Sequence, residues 1–175
     1  MTEPSLTTII EALLFASDEP VSPERLAAAA GEDVTVDAVR EAVRQLADAY
    51  AESGRAFALA EIAGGFQLLS RPEFSKYLRK LVRARNEARF TQAALETLSI
   101  IAYKQPVTRA EIEDIRGVAA GDMVRTLMEK GLVRVTGRSE HIGRPLLYGT
   151  TKKFLTAFGL ANVKDLPSDK QLVQP

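Results

Sequence analysis

The sequence offers few side chains that could act as nucleophiles, general bases or metal ligands. It has no cysteine and one histidine, His141, which excludes disulfides, thiolate metal sites and two-histidine zinc sites. Glu111, Glu113 and Asp114 lie close together, but acids grouped on a short helix are typical of a solvated face. Phosphate-binding glycine motifs and the Gly-x-Ser-x-Gly nucleophile motif are absent. We therefore expect no catalytic residue, metal, cofactor or enzymatic activity.

The composition is that of a globular protein of one or two small domains. The chain has 175 residues, of which 46% are hydrophobic and 26% charged, and its formal net charge is zero. That balance argues against wholesale disorder and against a basic protein that coats nucleic acid. No apolar run reaches the ~18 residues that span a bilayer, and no signal-peptide pattern opens the sequence. We expect a cytoplasmic protein with no membrane contact.

The first half predicts three helices followed by a β-hairpin. Helical apolar spacing marks residues 7–17, and Ser22 and Pro23 open a short second helix that Gly31 ends. A stripe from Val36 to Tyr50 predicts the third helix. Two apolar runs around Gly64-Gly65, residues 57–62 and 66–70, predict the hairpin, and Pro72 opens one more helix. Three helices and a hairpin are the elements of a winged helix.

The second half repeats this order. The triplet Pro106-Val107-Thr108 stands where Pro20-Val21-Ser22 stood, and the valine-rich run from Leu132 predicts a second hairpin. The expected fold is α+β and mainly helical, with two tandem winged-helix domains. We place the N-terminal domain at residues 1–86, including a connecting helix at 72–86, the C-terminal domain at 87–164 and a flexible tail at 165–175.

Neither predicted third helix has the excess of basic side chains that reading DNA requires. The first exposes Asp37, Glu41 and Asp48 beside two arginines, and the second balances two acids with two bases. The densest basic run, from Lys76 to Arg89, fits a solvated helix face and linker, or a track along a phosphate backbone. A DNA-binding winged-helix transcription regulator is therefore the alternative function, and any DNA contact is expected to be weak or indirect.

The first hairpin is apolar on both faces, whereas a hairpin with one wet face alternates apolar and polar residues. One face carries Phe57, Leu59, Phe66 and Leu68. Since the domain's own helices cover one face, the other needs the helix from Pro72 or a second copy of the chain. We expect a homodimer through the N-terminal domain, with these four residues as its dimerisation set.

Long stretches of the sequence resemble the bacterial segregation and condensation protein B family. The resemblance covers residues 9–166 and is carried most specifically by two segments, AALETLSIIAYKQPVTRAEIEDIRGV at 93–118 and GRPLLYGTT at 143–151. It implies a non-enzymatic homodimer that binds the kleisin subunit ScpA, and Smc through ScpA. It further implies a role in chromosome condensation and partition, nucleoid association, dimerising N-terminal domains and kleisin-gripping C-terminal domains.

Within the second segment, local structure accounts for some residue types and not for others. Pro145 suits the start of a strand, Gly149 a turn and Thr150 or Thr151 a helix cap. Those roles leave two interface-prone residue types, arginine and tyrosine, unexplained. The candidate kleisin contacts are Tyr103, Lys104, Arg116, Arg144 and Tyr148. The open alternative is that Tyr148 packs within the wing and Arg144 pairs with a nearby acid.

Overall fold

The computed structural model describes residues 4–81 and 90–167, which fall into two compact units, Met1–Arg85 and Asn86–Pro175. Both units have the α+β, mainly helical architecture that the sequence predicts. Part of the expected connecting helix and the expected linker, residues 82–89, lie outside the described residues, as do residues 168–175 of the expected tail.

The first unit consists of three helices, a hairpin and a terminal helix. Its elements are α1 (Leu6–Phe15), α2 (Pro23–Ala30), α3 (Val36–Glu52), β1 (Phe57–Ile62), β2 (Gly65–Ser70), a 3-10 turn (Pro72–Phe74) and α4 (Ser75–Leu81). The hydroxyls of Ser5, Ser22 and Thr35 accept hydrogen bonds from the opening turns of α1, α2 and α3. The helices enclose one core, which includes Ile10, Leu14, Leu26, Val39, Val43 and Leu46.

The second unit repeats that order and adds a third strand. Its elements are α5 (Gln92–Lys104), β3 (Val107–Thr108), α6 (Arg109–Arg116), α7 (Gly121–Glu129), β4 (Val133–Arg138), β5 (Leu146–Thr150), α8 (Lys152–Phe158) and a 3-10 turn (Val163–Asp165). The strand order is β3-β5-β4, so β4 is an edge strand. Its core is built around Leu98, Ile101, Ile112, Val124, Leu127 and Phe154.

The strand β3 is an element that the sequence did not predict. Val107 pairs with Tyr148 of β5, and at the same place in the first unit Val21 forms an isolated bridge to Phe66. The repeated Pro-Val-hydroxyl triplets therefore hold the same position in both units. Each places a valine against the hairpin and a hydroxyl cap at the start of the next helix.

The start of the expected tail belongs to the folded second unit. Asn162 caps the turn at Val163–Asp165, Leu166 packs against the core, and the Tyr103 hydroxyl donates to the Pro167 carbonyl at 2.8 Å. Apolar packing and capping thus hold residues 165–167, where the polar composition had suggested a mobile tail.

Candidate protein-partner interfaces

The face of α3 that would approach DNA in a winged helix has its arginines tied to acids. Arg44 pairs with Glu41 one turn away at 2.7 Å, and Arg40 reaches Glu61 of the hairpin at 3.8 Å. A shallow groove of about 330 Å³ runs between α3 and the hairpin, and its floor includes Phe66. Because each guanidinium already faces a carboxylate, this groove is poorly suited to phosphate.

The corresponding face of the second unit is built in the same way. Arg125 pairs with Glu129 at 3.0 Å and Arg109 with Glu113 at 3.6 Å. Both arginines line a groove of about 400 Å³, which we call the α7 groove, together with Met128 and Tyr148. The sequence indicated that acids and bases balance on the third helices. The structure shows that they also form ion pairs there.

Three of the four predicted dimerisation residues face their own domain. Phe66 is only 7% exposed and belongs to the first core, against which Leu59 and Leu68 pack. Phe57 is the exposed member, and its ring meets Tyr50 edge-on at 4.9 Å. The face carrying this set is the one that the unit's own helices cover, which leaves Phe57 as the member of the set that a second copy could reach.

Three of the six exposed large apolar side chains in the described part of the first unit lie on α4. This helix buries none of its residues, and Tyr77, Leu78 and Leu81 are all exposed. Their spacing of i, i+1 and i+4 places them on one side of the helix. Leu69, on the outward face of β2, is exposed as well. We call Tyr77, Leu78 and Leu81 the α4 surface.

The five predicted kleisin contacts lie in different places of the second unit. Tyr103 and Lys104 end α5, where the Tyr103 hydroxyl bonds the Pro167 carbonyl. Arg144 lies at the tip of the β4–β5 hairpin and makes no ion pair with any described acid. Tyr148 is half-buried against the core, as the packing alternative expected, and also lines the α7 groove. Arg116 lies between α5 and α6.

Arg116 is the most unusual of the five because its charged side chain is 8% exposed. Its guanidinium reaches Glu96 at 3.8 Å and the Ala119 carbonyl at 3.5 Å, while its Nε is buried without a partner among the described residues. Burying a cation is costly unless it is well paired. The structure therefore holds this cation in a fixed position behind the surface.

Around Arg116 runs a groove of about 450 Å³ with a mixed polar and apolar lining, which we call the α5–α6 groove. Leu95 and Ile115 line it and are exposed, and the exposed Val118 follows in sequence. Sequence reasoning missed this feature. No sequence pattern marked it, because Ile115 follows Ile112 at the i, i+3 spacing of a shared helix face, yet Ile112 is buried and Ile115 is exposed. Such a groove can accept apolar side chains of a polypeptide segment, with Arg116 and Glu96 behind them.

Two titratable groups are shifted by structural contacts. The Thr108 backbone N–H and hydroxyl both donate to the Glu111 carboxylate, at 2.7 Å each, and these bonds lower the pKa of Glu111. Burial raises the pKa of Tyr50, whose hydroxyl donates to Glu11 at 2.7 Å. Both arrangements hold elements together, since Glu111 completes the cap of α6 and Tyr50 ties α3 to α1.

Within residues 4–81 and 90–167, no three His, Asp or Glu side chains come together as a metal site would require. No helix in this part of the chain is long and apolar enough to cross a membrane.

Two winged-helix units with charge-balanced third helices and exposed apolar faces define a tandem winged-helix interaction protein. The family model described as "Segregation and condensation complex subunit ScpB" matches residues 8–169, and the chain belongs to that family. The family prediction made from the sequence is thereby confirmed.

Individual relatives agree with this assignment. The chain is 47% identical to segregation and condensation protein B of Syntrophotalea carbinolica, over 97% of this chain and 84% of that one. It is also 47% identical to the Moorella thermoacetica protein of that name, over 93% and 82%. Among solved structures, a dimer of a ScpB N-terminal domain complexed with ScpA peptide is 31% identical, with a TM-score of 0.40, and covers 46% of this chain and 91% of that one.

Proposed function

We propose that this protein is a non-enzymatic subunit of the Smc–ScpA–ScpB complex and that it binds the kleisin ScpA as a homodimer. In that complex it acts in chromosome condensation and partition in the cytoplasm, in association with the nucleoid, and it reaches Smc through ScpA. Membership of the ScpB family supports this role. The observation that carries it is the exposure of apolar residues outside both cores, on a protein whose third helices have their cations paired.

For the dimer we propose the α4 surface, with Phe57 as the exposed member of the set predicted from the sequence. Tyr77, Leu78 and Leu81 offer apolar area on one side of α4 that nothing in the described part of the unit covers. Burial of such area is the dominant favourable contribution to association. The basic side chains Lys76, Arg79 and Lys80 flank it, which is the arrangement of an apolar centre with a polar rim.

For the kleisin we propose the α5–α6 groove as the principal contact of the second unit. Its exposed leucine and isoleucine can bury apolar anchors of an amphipathic ScpA helix, and the fixed Arg116 guanidinium can donate hydrogen bonds to a carbonyl or carboxylate of that helix. Of the other predicted contacts, Tyr103 and Lys104 are the last two residues of α5, the helix that also carries Leu95. Tyr148 and Arg144 remain predictions for a second contact on the α7 and hairpin side.

The test is titration of a labelled ScpA middle segment with the full chain. The double variant Ile115→Ser/Leu95→Ser should weaken binding at least tenfold, because apolar anchors at an interface each contribute about 1–2 kcal/mol. The matched control is Phe15→Ser, an exposed apolar residue at the end of α1 that lies outside both proposed surfaces, and it should bind like the wild type. Equal affinity of the groove variant and the wild type, with both folded, would refute the groove as the kleisin site.

A further inference from the structure

The second unit carries a concentration of positive charge on the side of its hairpin. Seven of the chain's 23 Lys and Arg residues lie between residues 130 and 164, and Glu140 is the single acid of that stretch. All seven are exposed, and none lies in an ion pair with the described carboxylates. This is the reverse of the α6 and α7 region, where Arg109, Arg116 and Arg125 each pair with an acid.

The edge strand β4 presents this charge on both of its faces. Arg134 is in register with Gly149, and Arg138 is in register with Leu146 beyond a bulge between Val135 and Gly137. Gly149 and Leu146 lie on opposite faces of β5, so the two arginines point to opposite sides of the hairpin. On the Arg134 side, Lys152 lines the same groove of about 510 Å³.

The tip of the hairpin is an ordered loop with an apolar apex. Ser139 N–H donates to the Pro145 carbonyl at 2.8 Å, Arg144 N–H to the His141 carbonyl at 2.9 Å, and the Arg138 guanidinium to the Arg144 carbonyl at 3.1 Å. At the apex the side chain of Ile142 is completely exposed. A hydrogen-bonded loop that holds an isoleucine away from every core keeps that side chain available to a partner.

We propose that this hairpin is a contact site for duplex DNA, with Ile142 entering the minor groove. A strand that enters a groove meets a phosphate backbone on each side and needs cations on both faces, as Arg134 and Arg138 provide. Proteins that bind in the minor groove combine such cations with an apolar wedge between base steps. The contact is independent of base sequence, and it uses the hairpin in place of the acid-paired third helix.

The charges that oppose this contact are few. Glu140 lies in the tip, and Glu111 lies close enough to His141 to interact with it electrostatically. The Glu111 carboxylate accepts two hydrogen bonds from Thr108, which occupy part of its acceptor capacity. The cations on β4 and at the start of α8 outnumber these two acids, so the net field around the hairpin attracts phosphate.

The test is anisotropy titration of a labelled mixed-sequence duplex with the full chain between about 50 and 200 mM KCl. The wild type should bind with a dissociation constant on the order of 10⁻⁵ M at the low-salt end. Its logarithmic salt slope should be roughly −3, for three phosphate contacts. The variant Arg134→Gln/Arg138→Gln/Lys152→Gln should lose binding. The matched control Arg40→Gln/Arg44→Gln/Arg125→Gln removes three ion-paired charges and should bind like the wild type.

A second variant tests the apex, and a second ligand separates this proposal from the kleisin role. Ile142→Ala should bind duplex about tenfold more weakly with an unchanged salt slope, because only apolar contact is lost. If Arg138→Gln disturbs the tip, Arg134→Gln/Lys152→Gln alone should still lower the slope by about 2. All these variants leave the α5–α6 groove intact, so ScpA binding through that groove should persist when duplex binding is lost.

Three results would overturn the inference. The first is a wild type that does not bind duplex at low salt, and the second is an equal loss in the hairpin variant and its charge-matched control. The third is hairpin-dependent binding of single-stranded RNA or of anionic vesicles at least as tight as that of duplex. Unchanged duplex affinity of the Ile142→Ala variant would rule out the insertion of Ile142 into the minor groove.

Discussion

The two hairpins hold the same place in two similarly built units, yet their surfaces differ. In residues 57–70 the one charged side chain is Glu61, whereas residues 133–150 carry three arginines and one acid. In both, a bridge to a Pro-Val segment anchors the hairpin to its helices, at Phe66 in the first unit and Tyr148 in the second. The shared framework is thus specified by core and cap residues, and the remaining positions are free to specify different partners.

The two anchoring aromatic residues should differ most in how much each contributes to the stability of its own unit. Phe66→Ala should destabilise the first unit by about 3–5 kcal/mol, because Phe66 is fully packed in its core. Tyr148→Ala should cost the second unit less than half of that, since Tyr148 is half-buried. Denaturant unfolding of the two variants measures the difference. Equal losses would show that the two hairpins have the same structural role.

A smaller effect is expected on the dimer dissociation constant when charges are placed on the apolar α4 surface of the first unit. Leu78→Lys/Leu81→Lys should raise the dimer dissociation constant about 100-fold, because it places charges in an apolar contact. Light scattering across a dilution series detects this shift. The control Met128→Lys alters an apolar residue of the second unit that is as exposed as Leu78, and it should leave the dimer intact. Dimers that persist unchanged in the α4 variant would exclude the α4 surface.

The smallest expected effect is a pH dependence confined to the second unit. The folded-state pKa of Glu111 lies below its ordinary value, so its hydrogen bonds stabilise the fold above that ordinary pKa. The contribution is lost as the pH falls through the lowered pKa. Unfolding followed between neutral and acidic pH should therefore show a decline that Glu111→Gln flattens. In the first unit, Arg25 stands at the position that Glu111 holds, so the capping box of α6 has no counterpart at the start of α2.

The sequence predicted the parts of this fold that depend on local interactions. Hydroxyl caps such as Ser22, Thr108 and Thr151 act on the helix that follows them, so their residue types and spacing suffice to predict the helix starts. The strand β3 was missed because two residues carry no strand pattern, and they pair only with a strand about 40 residues away.

The contact surfaces were less predictable than the fold. Alternation along the first hairpin grouped Phe57, Leu59, Phe66 and Leu68 correctly on one face, but it could not tell which face the helices cover. Arg116 was selected by residue type alone, and its burial between α5 and α6 depends on tertiary packing. Likewise Arg134 and Lys152 are distant in sequence, and only the fold brings them to one groove.

The most direct test of the central claim is the salt dependence of ScpA binding by the full chain. If the protein's main partner is a polypeptide held by apolar contacts, affinity for the ScpA middle segment should change by less than about threefold between 50 and 200 mM KCl. Absence of binding would contradict the account. So would a specific duplex site bound more tightly than ScpA, with a steep salt dependence that the Arg40→Gln/Arg44→Gln/Arg125→Gln variant abolishes.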